Sequence, residues 1–324
     1  MANLYLHEVH KLVDDLIEQE AYELAYHVSG QYMDYFNDGY LRFKHLWLPV
    51  QLGRAEQTLA LIEQSLATEH WFSTWFLQRG PEFDKIKDLP HFQELLQILD
   101  SKEAEYWQHG MMKPITCVPE ESAEPYPWLI ALHGNGYNTS QAAEQWSCAA
   151  RQGWLSTFPL SNHLVGNGLH WWEGHTEAIE TVETQVVKVL KDCRIDQERV
   201  LLGGFSKGGE VATVMALKGS LGAKGFITVG AGGYLHSQPE NWLPLLAGAP
   251  PGMRGVMMYS PYDLERMGCY LDQILPLYEK YGIQIQLVKY EAAGHVFPKD
   301  FDQKFNAALH YIFDNQGTNR EYPP

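Results

Sequence analysis

A serine set between glycines, in the most apolar part of the chain, constrains the fold more than any other feature. The segment Gly204-Phe205-Ser206-Lys207-Gly208 has the pattern G-x-S-x-G. It follows the apolar run 199–203 and precedes the helix-like run 209–217. Glycines permit a tight, strained turn between a strand and a helix, which lifts one hydroxyl above the edge of a sheet. The pattern predicts a strand–turn–helix unit and makes Ser206 a candidate nucleophile.

Two further polar residues follow predicted strands later in the chain. A pattern of serine and glycine also describes flexible loops, and a serine nucleophile needs a base and a group that orients the base. Asp263 follows the apolar run 255–260, and His295 follows the run 283–290, which begins with strand-like alternation. The order Ser206, Asp263, His295 suits side chains that reach one edge of a parallel sheet from strand ends. We therefore expect a catalytic triad of these residues.

The acid of the triad has competitors. Aspartate is common in the first turn of a helix, and a helix is predicted to begin near Leu264, so Asp263 also suits a purely structural role. Glu265, Asp272 and Glu291 are the fallback acids. Asp272 lies too far into the predicted helix and Glu291 lies too close to the histidine loop, so Asp263 is the favoured residue.

Acyl transfer also needs hydrogen-bond donors for the carbonyl oxygen that becomes negative when it is attacked. The backbone N–H of Lys207 opens the predicted helix after the nucleophile. Upstream, the short apolar run 127–132 reads as a buried strand and ends in the glycine-containing loop His133–Gly136. We assign the oxyanion hole to the N–H groups of Lys207 and Asn135, and we interpret His133 as a residue that orders the loop by hydrogen bonding.

These motifs resemble those of a known family. The chain from about Tyr126 to Phe313 is similar to the phospholipase/carboxylesterase branch of the α/β-hydrolases, which includes acyl-protein thioesterases and is close to the dienelactone hydrolases. The resemblance implies a doubly wound, mostly parallel sheet and a Ser-His-Asp triad. The segments that carry it are 132–136, 203–209, Asp263, 294–298 and the aromatic-acidic segment Trp171-Trp172-Glu173.

The chain departs from this family at two places. Lys207 stands where the family usually has glutamine, so a long cation lies beside the site or extends outward to solvent. Tyr137 and Asn138 stand where the family usually has an acidic residue after the His-Gly loop. Because the oxyanion donor is a backbone group, the lysine weakens the inference about the substrate more than the inference about the mechanism.

Two glycine-containing segments, 161–172 and 232–251, are expected at the catalytic edge. Long loops with aromatic side chains often form pockets, although glycine and proline equally mark passive crossings. We predict that Trp171 and Trp172 contact the substrate. Neither segment has the bulky apolar run of a lipase lid, which favours a short-chain or compact ester.

The first part of the chain predicts a separate helical domain. Between Asn3 and Tyr106 glycine is rare and apolar residues recur three and four positions apart. We predict a smaller all-α domain over residues 1–110, followed by the α/β domain over 111–324, whose first strand is expected near 115–118. The segments 21–28 and 55–62 are similar at an offset of 34 residues, the period of tetratricopeptide (TPR) helix pairs, so we describe the domain as TPR-like.

The helical domain has two candidate roles. It recruits a partner or a peptide-bearing substrate, or it is structural and packs on the catalytic domain or on a second subunit. We favour the structural role, because an independent repeat array usually needs three or more repeats. We expect exposed aromatic clusters on this domain, which are compatible with a homodimer. The apolar faces expected to pack in the structural role are rich in aromatic side chains, namely Trp47, Trp71, Phe72, Trp75 and Phe76.

Composition restricts the partners. The formal net charge of −16 over 324 residues repels nucleic-acid phosphates and anionic lipids, so we expect neither a nucleic-acid nor a membrane partner. The chain has no basic segment followed by an apolar stretch at its start, and no run of about twenty apolar residues. The expected location is the cytoplasm.

Cysteine and histidine spacing gives no reason to expect a metal or cofactor. Cys117, Cys148, Cys193 and Cys269 lie far apart without a C-x-x-C pair, which favours buried thiols in a reducing compartment. The spacing of the histidines is irregular and lacks the helical H-x-x-x-H pattern of a metal site. These histidines are His163, His170 and His175.

The sequence as a whole predicts a serine hydrolase that cleaves a small-molecule carboxylic ester through an acyl-enzyme. A thioesterase or a peptidase would use the same triad. A non-catalytic scaffold, in which a hydrolase-like domain carries a helical adaptor, is the alternative from a different class of protein.

Overall fold

The computed structural model describes residues 5–109, 112–120, 122–232, 239–292 and 294–314, with residues 239 and 267–269 described by their backbone only. Residues 110, 111 and 121 of the expected interdomain connection lie outside this description, as do residues 233–238 of the loop expected at the catalytic edge and the side chain of Cys269.

The chain forms two compact units. The first consists of Met1–Met112 together with His163–Trp171, and the second consists of Lys113–Asn162 together with Trp172–Pro324. The sequence placed the boundary after residue 110 and assigned 163–171 to the second domain. The structure instead groups that short segment with the helical unit.

The first unit is helical apart from this inserted segment. Side-chain caps start two of its helices: Asp38 Oδ1 accepts the Leu41 N–H at 2.8 Å, and Ser73 Oγ accepts the Phe76 N–H at 3.1 Å. The helices are α1 (Leu6–Glu18), α2 (Tyr22–Tyr32), α3 (Gly39–Gln51), α4 (Ala55–Leu66), α5 (Thr74–Arg79) and α6 (Pro90–Gln108).

Consecutive helices pack as neighbours along the first four of these elements. The two segments that are similar at an offset of 34 residues fall in α2 and α4, which are the second members of the consecutive pairs α1/α2 and α3/α4. This agrees with a helix-pair period. The TPR-like description stays a prediction.

The five aromatic side chains singled out on the helical unit are not exposed. Trp47, Trp71 and Phe72 are buried in the unit's own core, and Trp75 and Phe76 are partly buried against it. Aromatic side chains carry large apolar areas, and burying these areas in the unit's own core removes them from water. These five side chains therefore do not support a homodimer, which stays a prediction.

The second unit is built on a seven-stranded sheet in the order β1-β3-β2-β6-β7-β8-β9. Strand β1 is antiparallel to β3, and every other pair in this sheet is parallel. The strands of the chain are β1 (Ile115–Cys117), β2 (Tyr126–Leu132), β3 (Leu155–Phe158), β4 (His163–Gly166), β5 (Leu169–Trp171), β6 (Ile195–Phe205), β7 (Gly225–Val229), β8 (Arg254–Tyr259) and β9 (Gln284–Lys289).

Helices cover both faces of this sheet. The side chains of β2 show why: Trp128 and Ile130 enter one hydrophobic core, whereas Leu129 and Ala131 enter another on the opposite face. A strand buried on both faces reads as a continuous apolar run rather than an alternating one. The sequence prediction of a doubly wound, mostly parallel α/β sheet is confirmed.

The helices of the second unit divide between the two cores. Residues from α9 to α12 pack on one face, and residues from α7, α8 and α13 pack on the other. The bounds are α7 (Thr139–Gln145), α8 (Cys148–Arg151), α9 (His175–Asp192), α10 (Lys207–Leu217), α11 (Leu243–Ala247), α12 (Pro261–Lys280) and α13 (Phe301–Leu309). Within the described ranges, no helix combines the length and apolar character needed to cross a membrane.

Candidate active site

Ser206 lies at the turn between β6 and α10, as the G-x-S-x-G pattern predicts. Its φ of 53° is in the left-handed region, which is uncommon for a residue with a side chain. Gly204 and Gly208 make the turn possible, because a Cβ on Gly204 would lie 2.4 Å from the carbonyl of Gly208. The Ser206 N–H donates to Val229 O at 3.0 Å and so fixes the turn to β7. The two glycines therefore permit the close backbone approach that this turn requires.

Asp263 and His295 are hydrogen-bonded to each other. His295 Nδ1 lies 2.7 Å from Asp263 Oδ1. The aspartate is buried and stands in the first turn of α12, where its other oxygen, Oδ2, accepts from Ser260 N and Ser260 Oγ at 3.1 and 2.8 Å. Asp263 is therefore both a helix-capping residue and the partner of the imidazole. The two roles that the sequence offered for Asp263 coexist.

The fallback acids differ from Asp263 in their burial. Glu265, Asp272 and Glu291 are all exposed. An exposed carboxylate is solvated and holds an imidazole less firmly than a buried one. Asp263 is the carboxylate that contacts the candidate base.

Packing brings the imidazole of His295 to the turn that carries Ser206. Its ring stacks on the ring of Phe205, the residue before Ser206, with centroids 4.6 Å apart. A Cβ on Gly230 would lie 2.8 Å from His295 Cε1, and Gly230 directly follows the Val229 that binds Ser206. Among the hydrogen bonds of the described residues, none joins Ser206 Oγ to the imidazole.

Tyr290 holds the loop that carries His295. Its hydroxyl donates to Val296 O at 2.7 Å. Burial raises the pKa of Tyr290, and the charge of Asp263 raises it further, so the phenol keeps its proton and remains a donor. Sequence reasoning missed this residue, because a tyrosine at the end of a strand reads as an ordinary core side chain.

The loop after β2 borders the nucleophile. A Cβ on Gly134 would lie 3.4 Å from Ser206 Cβ. A Cβ on Gly208 would lie only 2.2 Å from His133 O, so the start of α10 approaches the end of β2 as closely as a backbone allows. The two segments predicted to supply the oxyanion donors, those of Asn135 and Lys207, are thus adjacent.

His133 orders this loop, as the sequence suggested. Its Nε2 accepts the Ser161 N–H at 3.2 Å, so Nδ1 carries the proton and donates to Gly134 O at 2.8 Å. The ring is fully buried and stacks on Trp172, with centroids 4.9 Å apart. A neutral imidazole with both nitrogens engaged has a structural role.

The two tryptophans that were predicted to contact substrate belong to different units. Trp172 is 1% exposed, and it donates its indole N–H to His133 O and its backbone N–H to Asn135 Oδ1, both at 2.8 Å. Trp171 ends the hairpin of the first unit. Substrate contact by either residue stays a prediction. The observed role of Trp172 is to support the loop of residues 133–136, which we refer to as the oxyanion loop.

The side chain of Lys207 binds a partner that the sequence did not identify. It does not extend outward to solvent, because its Nζ donates to Glu210 Oε1 one turn along α10. His175 Nε2 lies 2.6 Å from the same oxygen. Sequence reasoning missed Glu210 and His175. The spacing of Lys207 and Glu210, which places them on one face of a helix, was the available signal for the first of them.

The remaining histidines of the middle segment have local partners within the first unit. His170 is buried, and its Nε2 lies 3.0 Å from the Tyr106 hydroxyl. His163 stacks on Trp75 with centroids 4.6 Å apart.

Comparisons with known proteins find structural likeness only. No protein-family model and no curated protein matches the chain. The solved structure of an uncharacterized protein from Bacillus cereus ATCC 10987 is 17% identical, with a TM-score of 0.52 over 95% of this chain and 99% of that one. Esterase PE8 is 16% identical, with a TM-score of 0.47 over 62% of this chain and 99% of that one. The Bacillus cereus carboxylesterase is 14% identical, with a TM-score of 0.47 over 65% of this chain and 100% of that one.

The strand order, the helices on both faces and the strained serine at the end of β6 together define a recognised architecture. The side chains of Asp263 and His295 follow β8 and β9, the two strands that come after β7 in the sheet. The chain has the α/β-hydrolase fold.

Proposed function

We propose that the protein is a serine hydrolase that cleaves carboxylic esters with a short or compact acyl group. The observation that carries this proposal is the 2.7 Å contact between His295 Nδ1 and the buried Asp263, on an imidazole stacked against the residue before Ser206. An oriented imidazole near a partly exposed serine at a strained turn is the arrangement that nucleophilic acyl transfer requires.

In the proposed mechanism, Asp263 holds His295 with its Nδ1 protonated, so that Nε2 is free to accept the proton of Ser206. The serine oxygen attacks the ester carbonyl, and the N–H groups of Asn135 and Lys207 bind the oxygen that becomes negative. His295 then protonates the leaving alcohol. Water attacks the acyl-enzyme by the same route and releases the acid. The bond from Ser206 to His295 forms as substrate binds, since such bonds are often long in free enzymes.

The test is covalent labelling combined with turnover. A fluorophosphonate probe should label the wild-type protein at Ser206 and should leave Ser206→Ala unlabelled. Hydrolysis of p-nitrophenyl acetate should fall roughly 10⁴- to 10⁶-fold in Ser206→Ala, because catalytic groups of this kind act as a unit. A folded Ser206→Ala protein with near-full turnover would contradict the assignment.

The substrate class needs a second measurement. We expect kcat/KM for p-nitrophenyl esters to decline as the acyl chain lengthens from acetate to decanoate. Thioester and anilide substrates with the same acyl group should be cleaved more slowly than the ester. A preference for the thioester or the amide would replace the esterase proposal with that of a thioesterase or a peptidase that uses the same triad.

A further inference from the structure

A buried carboxylate lies close to the candidate site but outside the proposed triad. Glu210 stands in the first turn of α10, four residues after Ser206, and its side chain is 0% exposed. Its Oε1 accepts from Lys207 Nζ and from His175 Nε2. Burying a carboxylate is unfavourable unless its partners compensate the lost hydration, and these two donors are among the partners of Glu210.

One of these donors, His175, belongs to a segment that also contacts the oxyanion loop. His175 begins α9, three residues after Trp172. Trp172 donates its backbone N–H to Asn135 Oδ1 and its indole N–H to His133 O, both at 2.8 Å. The short segment 172–175 therefore contacts the oxyanion loop at one end and Glu210 at the other. We refer to this segment as the brace.

The other donor belongs to the second oxyanion residue. Lys207 supplies the backbone N–H that follows the nucleophile, and its own ammonium binds Glu210. Both residues assigned to the oxyanion hole are thus tied to the brace. Asn135 is tied to it through Trp172, and Lys207 is tied to it through Glu210 and His175.

We propose that Glu210 is a positioning residue that sets the spacing between the Asn135 and Lys207 N–H groups by binding Lys207 and His175 together. This inference rests on the proposed function. An oxyanion hole works only when its donors lie about 2.7–3.1 Å from the developing negative charge. A displacement of about 1 Å can lower the rate about 10²-fold, so a tether between the two donor segments acts directly on catalysis.

The test removes the charge but keeps the shape of Glu210. In Glu210→Gln we expect kcat for p-nitrophenyl acetate to fall about 10- to 100-fold, with KM changed less than about threefold. A trifluoromethyl ketone, which forms a tetrahedral adduct with the serine, should lose affinity by the same factor as kcat/KM, because both report the oxyanion. A residue needed only for folding would not couple these two measurements.

Two further variants keep the inference testable if Glu210→Gln does not fold. His175→Asn and Lys207→Met alter partly exposed side chains, and each should lower kcat and weaken the trifluoromethyl ketone in parallel. The double variant His175→Asn/Lys207→Met should lose less than the product of the single effects, because both act through one carboxylate. Thr213→Val is the matched control. It lies buried on the same helix, where its hydroxyl donates to Gly209 O, and its kcat should stay within about twofold of wild type.

The outcomes separate this inference from the proposed function. If the wild-type protein is neither labelled by a fluorophosphonate nor active on esters, the proposed function fails. If the wild type is labelled and active while folded Glu210→Gln, His175→Asn and Lys207→Met keep kcat within threefold, the positioning role of Glu210 is wrong and the esterase proposal stands. Independent, multiplicative losses in the double variant would also overturn the positioning role.

Discussion

The carboxylate of Asp263 serves two neighbours through its two oxygens. Oδ1 contacts the imidazole of His295, and Oδ2 accepts from the backbone and the hydroxyl of Ser260, the residue that caps α12. In return, Ser260 Oγ accepts the Asp263 N–H at 3.1 Å. This reciprocal pair is a capping box, and it fixes the direction in which Oδ1 points. At this residue the helix start and the candidate chemistry share one side chain.

Asp263→Asn separates these two functions. The amide retains one oxygen for either neighbour but cannot serve both, and it does not stabilise an imidazolium, so kcat should fall roughly 10⁴-fold. Ester turnover and circular dichroism provide the measurement. Ser260→Ala is the control: it loses the cap at about 1 kcal/mol of stability but leaves the bond to His295 in place. Equal losses of activity in both variants would mean that Asp263 acts only through the cap.

Between elements, the decisive feature is the contact of the start of α10 with the end of β2. Gly208 lies so close to His133 O that a side chain has no room. The loop after β2 also approaches the nucleophile, since a Cβ on Gly134 would lie 3.4 Å from Ser206 Cβ. Backbone contact therefore limits how far the helix and the strand can shift relative to each other, and the side-chain bonds of Glu210 act within that limit.

Gly208→Ala tests this contact. A methyl group 2.2 Å from a carbonyl oxygen must displace the helix or the loop, so we expect a loss of about 1–3 kcal/mol in stability and at least a tenfold loss in kcat. Chemical denaturation and ester turnover measure the two effects. The control is Gly248→Ala, where the nearest atom lies at 3.6 Å and the backbone is right-handed, and where little change is expected. A fully active Gly208→Ala protein would show that the spacing is not restrictive.

The helix pair α2/α3 contains a titratable group that should make stability depend on pH. His45 is buried, stacks on Tyr26 and lies 3.1 Å from Tyr26 O through its Nδ1. Burial lowers its pKa below the usual 6.5, so the folded state favours the neutral ring. As the pH falls, His45 is therefore protonated at a higher pH in the unfolded chain than in the folded protein. The stabilisation is complete above pH 6.5 and is lost as the pH falls from there through the lower pKa of the folded state.

Unfolding of the His45→Asn variant between pH 7.5 and 5 measures this dependence. Wild type should lose more stability on acidification than His45→Asn does, so that the two curves converge at low pH. Leu24→Ala alters an exposed, non-titrating residue of α2 and should keep the wild-type dependence. Parallel curves for wild type and His45→Asn would refute the assignment of this titration to His45.

At the scale of the whole molecule, the chain forms two units with separate helical and α/β cores. The helical unit is made of two segments that are separated along the chain. The hairpin β4/β5 interrupts the α/β unit and supplies Leu164 and Val165 to the core of the helical unit. Backbone bonds add to this, since the Ser73 N–H donates to Val165 O at 2.7 Å. The helical unit is incomplete without a segment that lies far along the chain.

Leu164→Ala tests the structural importance of this hairpin. The side chain is 3% exposed, so its truncation should destabilise the helical unit by about 2–5 kcal/mol, a cost typical of a core leucine. Denaturant unfolding gives the measurement. Leu24→Ala removes a half-exposed leucine of the same unit and should change stability by no more than about 0.5 kcal/mol. Equal effects of the two substitutions would exclude a core role for the hairpin.

Local patterns predicted much of the second unit. Five strands of the seven-stranded sheet correspond to apolar runs recognised in the sequence, namely β1, β2, β6, β8 and β9, and the turn at Ser206 follows from its glycines. The hairpin 163–171 was missed because its glycines and asparagines read as a loop. Its apolar residues become informative only when the surface that covers them is known.

The pattern of glycines, apolar runs and polar residues at strand ends by itself determined most strands of the sheet, the turn at Ser206 and the choice of Ser206, Asp263 and His295 as candidates, because strand formation and turn geometry leave signals in residues close in sequence. Only the tertiary structure decided that Asp263 both caps a helix and contacts His295, that Lys207 turns to Glu210, and that 163–171 belongs with the helical unit. The physical reason is that the hydrogen-bond partner of a polar side chain is set by burial and by distance in the folded protein. For residues far apart in the chain, a single sequence specifies neither the burial nor the distance.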